Sequence, residues 1–99
     1  MIDRRTAKEL VEQYINENFH GKNDRLVVLE DYTIERPYGW VFFYSSEMWL
    51  KTKDPNYLLL GNFPILVECE SGRLVQLAPT HVAGEIEEQL REYEMKNGL

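Results

Sequence analysis

The chain opens with apolar residues at helical spacing. Ala7, Leu10, Val11, Tyr14 and Ile15 recur on one side while Lys8, Glu9, Glu12, Gln13 and Glu17 take the other, which predicts an amphipathic helix over residues 3–19. Asp3 is the expected N-cap, with Thr6 and Glu9 at capping-box spacing one turn later, and Gly21 is the expected stop before the polar turn Lys22-Asn23-Asp24. The period then shortens to two. Residues 26–35 read as a strand that starts apolar on both faces and then alternates, Tyr32 and Ile34 opposite Thr33 and Glu35. Arg36-Pro37-Tyr38-Gly39 is a turn, because proline fixes φ and glycine accepts conformations other residues avoid. Residues 40–45 read as the partner strand of a hairpin, with Trp40, Phe42 and Tyr44 on one face and Val41 and Phe43 on the other, so both faces of the sheet are expected to be covered.

Met48-Trp49-Leu50 continue the apolar run until Lys51, Lys53, Asp54, Pro55 and Asn56 break it, and residues 57–60 read as a helical turn on the sheet. After Gly61-Asn62-Phe63-Pro64, Ile65, Val67 and Cys69 alternate with Leu66, Glu68 and Glu70 as a third strand. Glu70-Ser71-Gly72-Arg73 turns into a fourth strand over residues 74–77. Pro79-Thr80 leads into a final helix over residues 82–96, with Val82, Ile86, Leu90 and Tyr93 facing inward, Glu85, Glu88, Arg91 and Glu92 outward, and Asn97-Gly98 as its cap. The order helix, hairpin, irregular segment, hairpin, helix predicts an α+β fold: a mostly antiparallel sheet of about four strands with an N-terminal and a C-terminal helix packed against it. Ninety-nine residues give room for one domain, taken as residues 1–99.

Composition changes the picture only at its edges. Hydrophobic residues make up 43% and charged residues 28%, ordinary for a globular chain, and twelve per cent aromatics supply much buried area for so short a sequence. The net charge of −6 argues against backbone binding to nucleic acid and against an anionic membrane surface. One cysteine, Cys69, and an N-terminus without an apolar signal core predict a cytoplasmic protein, and no apolar stretch approaches the roughly 20 residues a membrane span needs.

Candidate chemistry is thin. Cys69, His20 and His81 lack metal-ligand spacing and read as a core thiol, a helix-end histidine and a histidine at the start of the last helix. A Cys69–His81 nucleophilic pair is opposed by Glu68 and Glu70, which flank the thiol and disfavour a thiolate. Gly39, Gly61 and Gly72 are isolated turn glycines and form no phosphate loop. No catalytic, cofactor-binding or metal residue is assigned, and no cofactor is implied. Charge is more informative: residues 85–99 hold five acids and two bases, half of the net charge, and Glu85, Glu88 and Glu92 form the candidate docking surface for a basic protein partner.

From Gly39 onward the chain shows a recognisable set of motifs. Gly39-Trp40-x-Phe42-x-Tyr44-x-Ser46 is followed by Leu50, Lys51 and Asp54, then Leu60-Gly61-Asn62-x-Pro64-Ile65, Glu70-Ser71-Gly72, and Glu88 and Leu90 running into Tyr93-Glu94. This resembles the immunity protein 35 family, small bacterial proteins that include YrhB-like members, over roughly residues 38–94. Three segments depart from its pattern. Trp49-Leu50-Lys51-Thr52-Lys53-Asp54 stands where Tyr-Leu-Glu-Thr-Gly-Asp is typical, Glu70-Ser71-Gly72 replaces Lys-x-Thr-Gly, and Ala78-Pro79-Thr80 replaces a Gly-Thr step. The resemblance implies a non-catalytic protein that neutralises a cognate toxin by binding and occluding it, with a YrhB-like chaperone for unfolded clients as the alternative. Of the motif residues, Gly39, Trp40, Phe42, Tyr44, Gly61, Asn62, Pro64, Gly72 and Tyr93 read as structural.

Overall fold

The structure is a computed structural model and describes residues 1–17, 19, 23–58, 63–79 and 83–99. Helix α1 spans Arg4–Glu17 and buries Ala7, Val11 and Ile15. Asp3 caps it, its carboxylate accepting from the Thr6 amide at 2.8 Å, and that bond holds the Asp3 carboxyl below its ordinary range. Tyr14, expected to face inward, lies at the margin of the buried stripe and is 43% exposed. Gly21 and His20 lie outside the described residues, as do Leu59, Leu60, Gly61, Asn62, Thr80, His81 and Val82.

The first hairpin is broken into two pieces. Strand β1 (Leu26–Val28) pairs antiparallel with β4 (Tyr44–Ser46) as a two-stranded sheet, whereas β2 (Ile34–Arg36) pairs with β3 (Gly39–Phe42) in a four-stranded one. Val28 faces Tyr44 and Ile34 faces Val41, so the first arm carries three more residues than the second. The excess is the 3-10 turn Glu30–Tyr32. The long strand expected over residues 26–35 is therefore interrupted, and Tyr32, expected to share a strand face with Ile34, sits on the turn and is 67% exposed.

The apolar run at residues 48–50 is helical. Helix α2 (Glu47–Thr52) starts at Ser46, whose hydroxyl accepts from the Trp49 amide at 3.1 Å. Asp24 braces that start, accepting the Ser46 hydroxyl and the Met48 amide. Lys53 in the left-handed conformation ends α2, and the following 3-10 turn is Pro55–Tyr57, capped by Asp54; residues 57–60 were the expected position.

Strands β5 (Ile65–Glu68) and β6 (Leu74–Gln76) complete the antiparallel order β2-β3-β5-β6, and helix α3 (Ala83–Lys96) follows. A Schellman motif closes it: Gly98 is left-handed at φ 68°, the Leu99 amide donates to the Glu94 carbonyl at 2.8 Å, and the Gly98 amide donates to that of Met95. The helices lie on opposite faces of the sheet. Trp40, Phe42, Ile65, Val67 and Cys69 pack with Ala7, Val11 and Ile15 of α1, while Val41, Leu66 and Leu77 pack with Ile86 and Leu90 of α3. That arrangement explains why all of β3 is buried and why its residues alternate between two apolar layers. Gly39 allows the central pairing: a Cβ there would stand 2.0 Å from the Val67 carbonyl oxygen.

Candidate functional site

Helical geometry divides the charged side chains of α3 into two stripes. Glu85, Glu88 and Glu92 recur at intervals of three and four and point to solvent, as do the side chains of Glu87 and Arg91 one step around the helix. The second stripe, Glu87, Arg91 and Glu94, borders the packed face and overlooks the turn between β2 and β3. A groove of about 910 Å³ runs between that stripe, the turn and the end of β5.

The groove is organised by tyrosines and carboxylates. Tyr38 leaves the Pro37 turn and Tyr93 comes from the last turns of α3; their ring centroids are 5.2 Å apart at 35°. Each phenol donates to a carboxylate on the other layer. Tyr38 Oη donates to Glu94 Oε2 at 2.6 Å, and Tyr93 Oη donates to Glu68 Oε2. Glu68 is further held by Arg73 through Nε at 3.1 Å and Nη2 at 3.0 Å, and by the Ser71 hydroxyl at 2.9 Å. At the rim Arg36 Nη2 meets Glu87 Oε1 at 2.5 Å.

These contacts fix protonation. Arg73 first and Tyr93 second hold the Glu68 carboxyl below its ordinary range. Burial, reinforced by Glu68, pushes the Tyr93 phenol up to about 12, and burial reinforced by Glu94 raises Tyr38 as well. Both hydroxyls thus stay donors, and Glu68 stays a carboxylate near neutral pH. Cys69, under the groove, is buried, and its thiol donates to the Pro37 carbonyl at 3.5 Å. Among the described residues no group of three or more His, Cys, Asp or Glu side chains is arranged to hold a metal ion.

The residues singled out in the sequence are distributed unevenly over this site. Glu85, Glu88 and Glu92 lie beside the groove and do not line it. Tyr93 is in it. Trp40, Phe42, Gly39 and Pro64 are buried in or against the sheet, and Tyr44 accepts the Phe63 amide at 3.2 Å. Gly72 turns in the left-handed region at φ 75°. Sequence reasoning missed Tyr38, Glu68 and Glu94 as partners. Glu68 had been placed correctly, opposite the Ile65–Val67–Cys69 face, but only the fold shows that this puts it under Tyr93.

The fold and groove define an α+β protein with helices on both faces of an antiparallel sheet and a carboxylate-lined surface. Comparison with known families finds the profile "Immunity protein 35" matching residues 5–94, and the chain belongs to that family. It is also 34% identical over 58 residues to "Uncharacterized protein YrhB" of Escherichia coli (strain K12), a stretch covering 59% of this chain and 58% of that relative. No solved structure matches. Among the described residues no helix is long and apolar enough to cross a membrane.

Proposed function

We propose that this chain is a small cytoplasmic bacterial immunity protein that binds a cognate toxin and neutralises it by occlusion, without catalysis. The observation that carries this reading is the family match across residues 5–94. The charge of the chain supports it: with a net −6 and with Glu85, Glu88 and Glu92 on the outer stripe of α3, a basic active-site face is the complementary partner. The chaperone alternative gains nothing from the comparisons, since the YrhB relative is described only as uncharacterized.

The test is capture from the native host with a tagged chain, followed by identification of the bound protein and an assay of its toxicity. A stoichiometric toxin whose activity disappears at equimolar chain is expected. Its association rate should fall with added salt while the dissociation rate changes little. A toxin left fully active at excess chain overturns the proposal, and salt-independent association removes the acidic stripe from it.

A further inference from the structure

We propose that the groove between α3 and the β2–β3 turn is the anchor site for an arginine side chain presented by the protein partner. This rests on the immunity reading for its biology but on the groove alone for its chemistry. Three observations converge on it. The groove is a formed concavity of about 910 Å³ with tyrosine rings in its wall, and a planar guanidinium stacks on such rings. Its carboxylates are held in place before any partner arrives, since Tyr38 orients Glu94 and Arg73 with Tyr93 orients Glu68. The charges already present are only partly cancelled. Arg36 pairs with Glu87 and also feels the charge of Glu94, Arg73 pairs with Glu68, and Glu70 and Glu94 stand in the lining with Arg91.

Glu94 is the directing group. One of its oxygens accepts the Tyr38 hydroxyl, and the other accepts nothing from any described residue. An arginine entering over the tyrosines would donate to that second oxygen and to Glu70, an arrangement a uniform acidic surface cannot offer. Arg91, also in the lining, carries the same charge as the incoming arginine and works against it. The outer stripe Glu85, Glu88 and Glu92 then attracts the partner from a distance, and the groove gives the contact its register.

The experiment uses the full chain and N-acetyl-arginine amide, followed by amide chemical shifts in two-dimensional NMR. Saturable shifts confined to residues around Tyr38, Glu70 and Tyr93 are expected. N-acetyl-citrulline amide, of the same shape without the charge, should produce none. Glu94→Gln keeps an acceptor for Tyr38 and should weaken binding about tenfold, the loss of one charge-assisted hydrogen bond. Glu70→Gln, at an exposed position, should weaken it less, Arg91→Gln should tighten it, and Glu88→Gln should leave it unchanged. Non-saturating shifts, shifts centred on the outer stripe, or equal binding of N-acetyl-lysine amide would each overturn the assignment. None of these results depends on a toxin, so failure here leaves the proposed function standing, and failure there leaves the groove to be judged by its own titration.

Discussion

The two faces of the four-stranded sheet are closed in different ways. On one, α1 inserts Ala7 and Val11, both fully buried, among Trp40, Phe42, Ile65 and Val67, and its polar contacts lie outside that layer, Asn16 on the Leu26 backbone at 2.8 and 2.9 Å and Lys8 on Glu30 at 3.1 Å. On the other, α3 contributes a smaller apolar core through Ile86 and Leu90, and the rest of its attachment is polar: Tyr38 to Glu94, Tyr93 to Glu68, Arg36 to Glu87, and Gln89 bonded both ways to the Ala78 backbone at 2.8 and 3.0 Å. Apolar burial depends on area and is indifferent to protonation, whereas hydrogen bonds to carboxylates carry geometry and respond to pH. The α1 face stabilises the sheet. The α3 face also holds side chains in defined positions at the surface.

The largest expected effect removes the element both faces share. In Gly39→Ala the new Cβ would collide with backbone, the Val67 carbonyl oxygen, and no rotamer change relieves that. Separation of β3 from β5 should cost more than ~5 kcal/mol, in the range reached by few single substitutions, and abolish the cooperative thermal transition. A transition retained near the parent midpoint would show that the two central strands can part cheaply. Next is Phe42→Ala, which empties a 1%-exposed site under α1 and should cost about 3–5 kcal/mol in a denaturant titration. Because that layer is apolar, the loss should be the same in low and high salt; a salt-dependent loss would erase the distinction between the faces.

Much of this division could be read in the sequence, because period-two alternation is a direct statement about faces. Trp40, Phe42 and Tyr44 do lie toward α1, Val41 and Phe43 toward α3, and Ile65, Val67 and Cys69 follow the same rule. What alternation could not reveal was the break between the two sheets. The residues of the 3-10 turn, Glu30-Asp31-Tyr32, continue a strand-like polar and aromatic pattern, and nothing local marks the three extra residues that shift the register. Helix α2 is too short at six residues to show a period, although Ser46 and Asp54-Pro55 carried capping signals that could have placed it and the turn after it. The site was less legible for a different reason. Tyr38 and Glu94 are separated by 56 positions, and Tyr93 and Glu68 by 25, so their pairing is a property of the sheet-and-helix layering that no spacing rule encodes.

Acid sharpens the comparison without a mutation. Glu68 has a folded-state pKa below its ordinary 4.5, so its stabilising contribution is complete above that value and is lost as the pH falls through the lower folded one. Tyr93 limits the other end: it titrates at 10.0 when unfolded and about 12 when folded, so stability declines as pH rises across that interval. Both groups attach α3. Amide protection at Ile86 and Leu90 should therefore fall before that at Val11 and Ile15 when the protein is acidified below pH 4.5, and again above pH 10. Simultaneous loss at the two helices would mean that the faces open as one unit.

The smallest effect tests whether the tyrosine–carboxylate contacts act singly or together. Tyr38→Phe keeps the ring against Tyr93 and deletes only the hydroxyl bonded to Glu94. Glu94 is partly exposed, so water can replace the lost donor, and the expected cost is about 1 kcal/mol. Glu94→Ala removes the acceptor and should cost a similar amount. The informative quantity is the coupling in the double variant. If the phenol and the carboxylate interact directly, the double variant should be less destabilised than the sum of the single ones by roughly 0.5–1 kcal/mol. Strict additivity would mean that each side chain holds α3 through its own packing, and the groove would then lose the fixed carboxylate on which an incoming arginine depends.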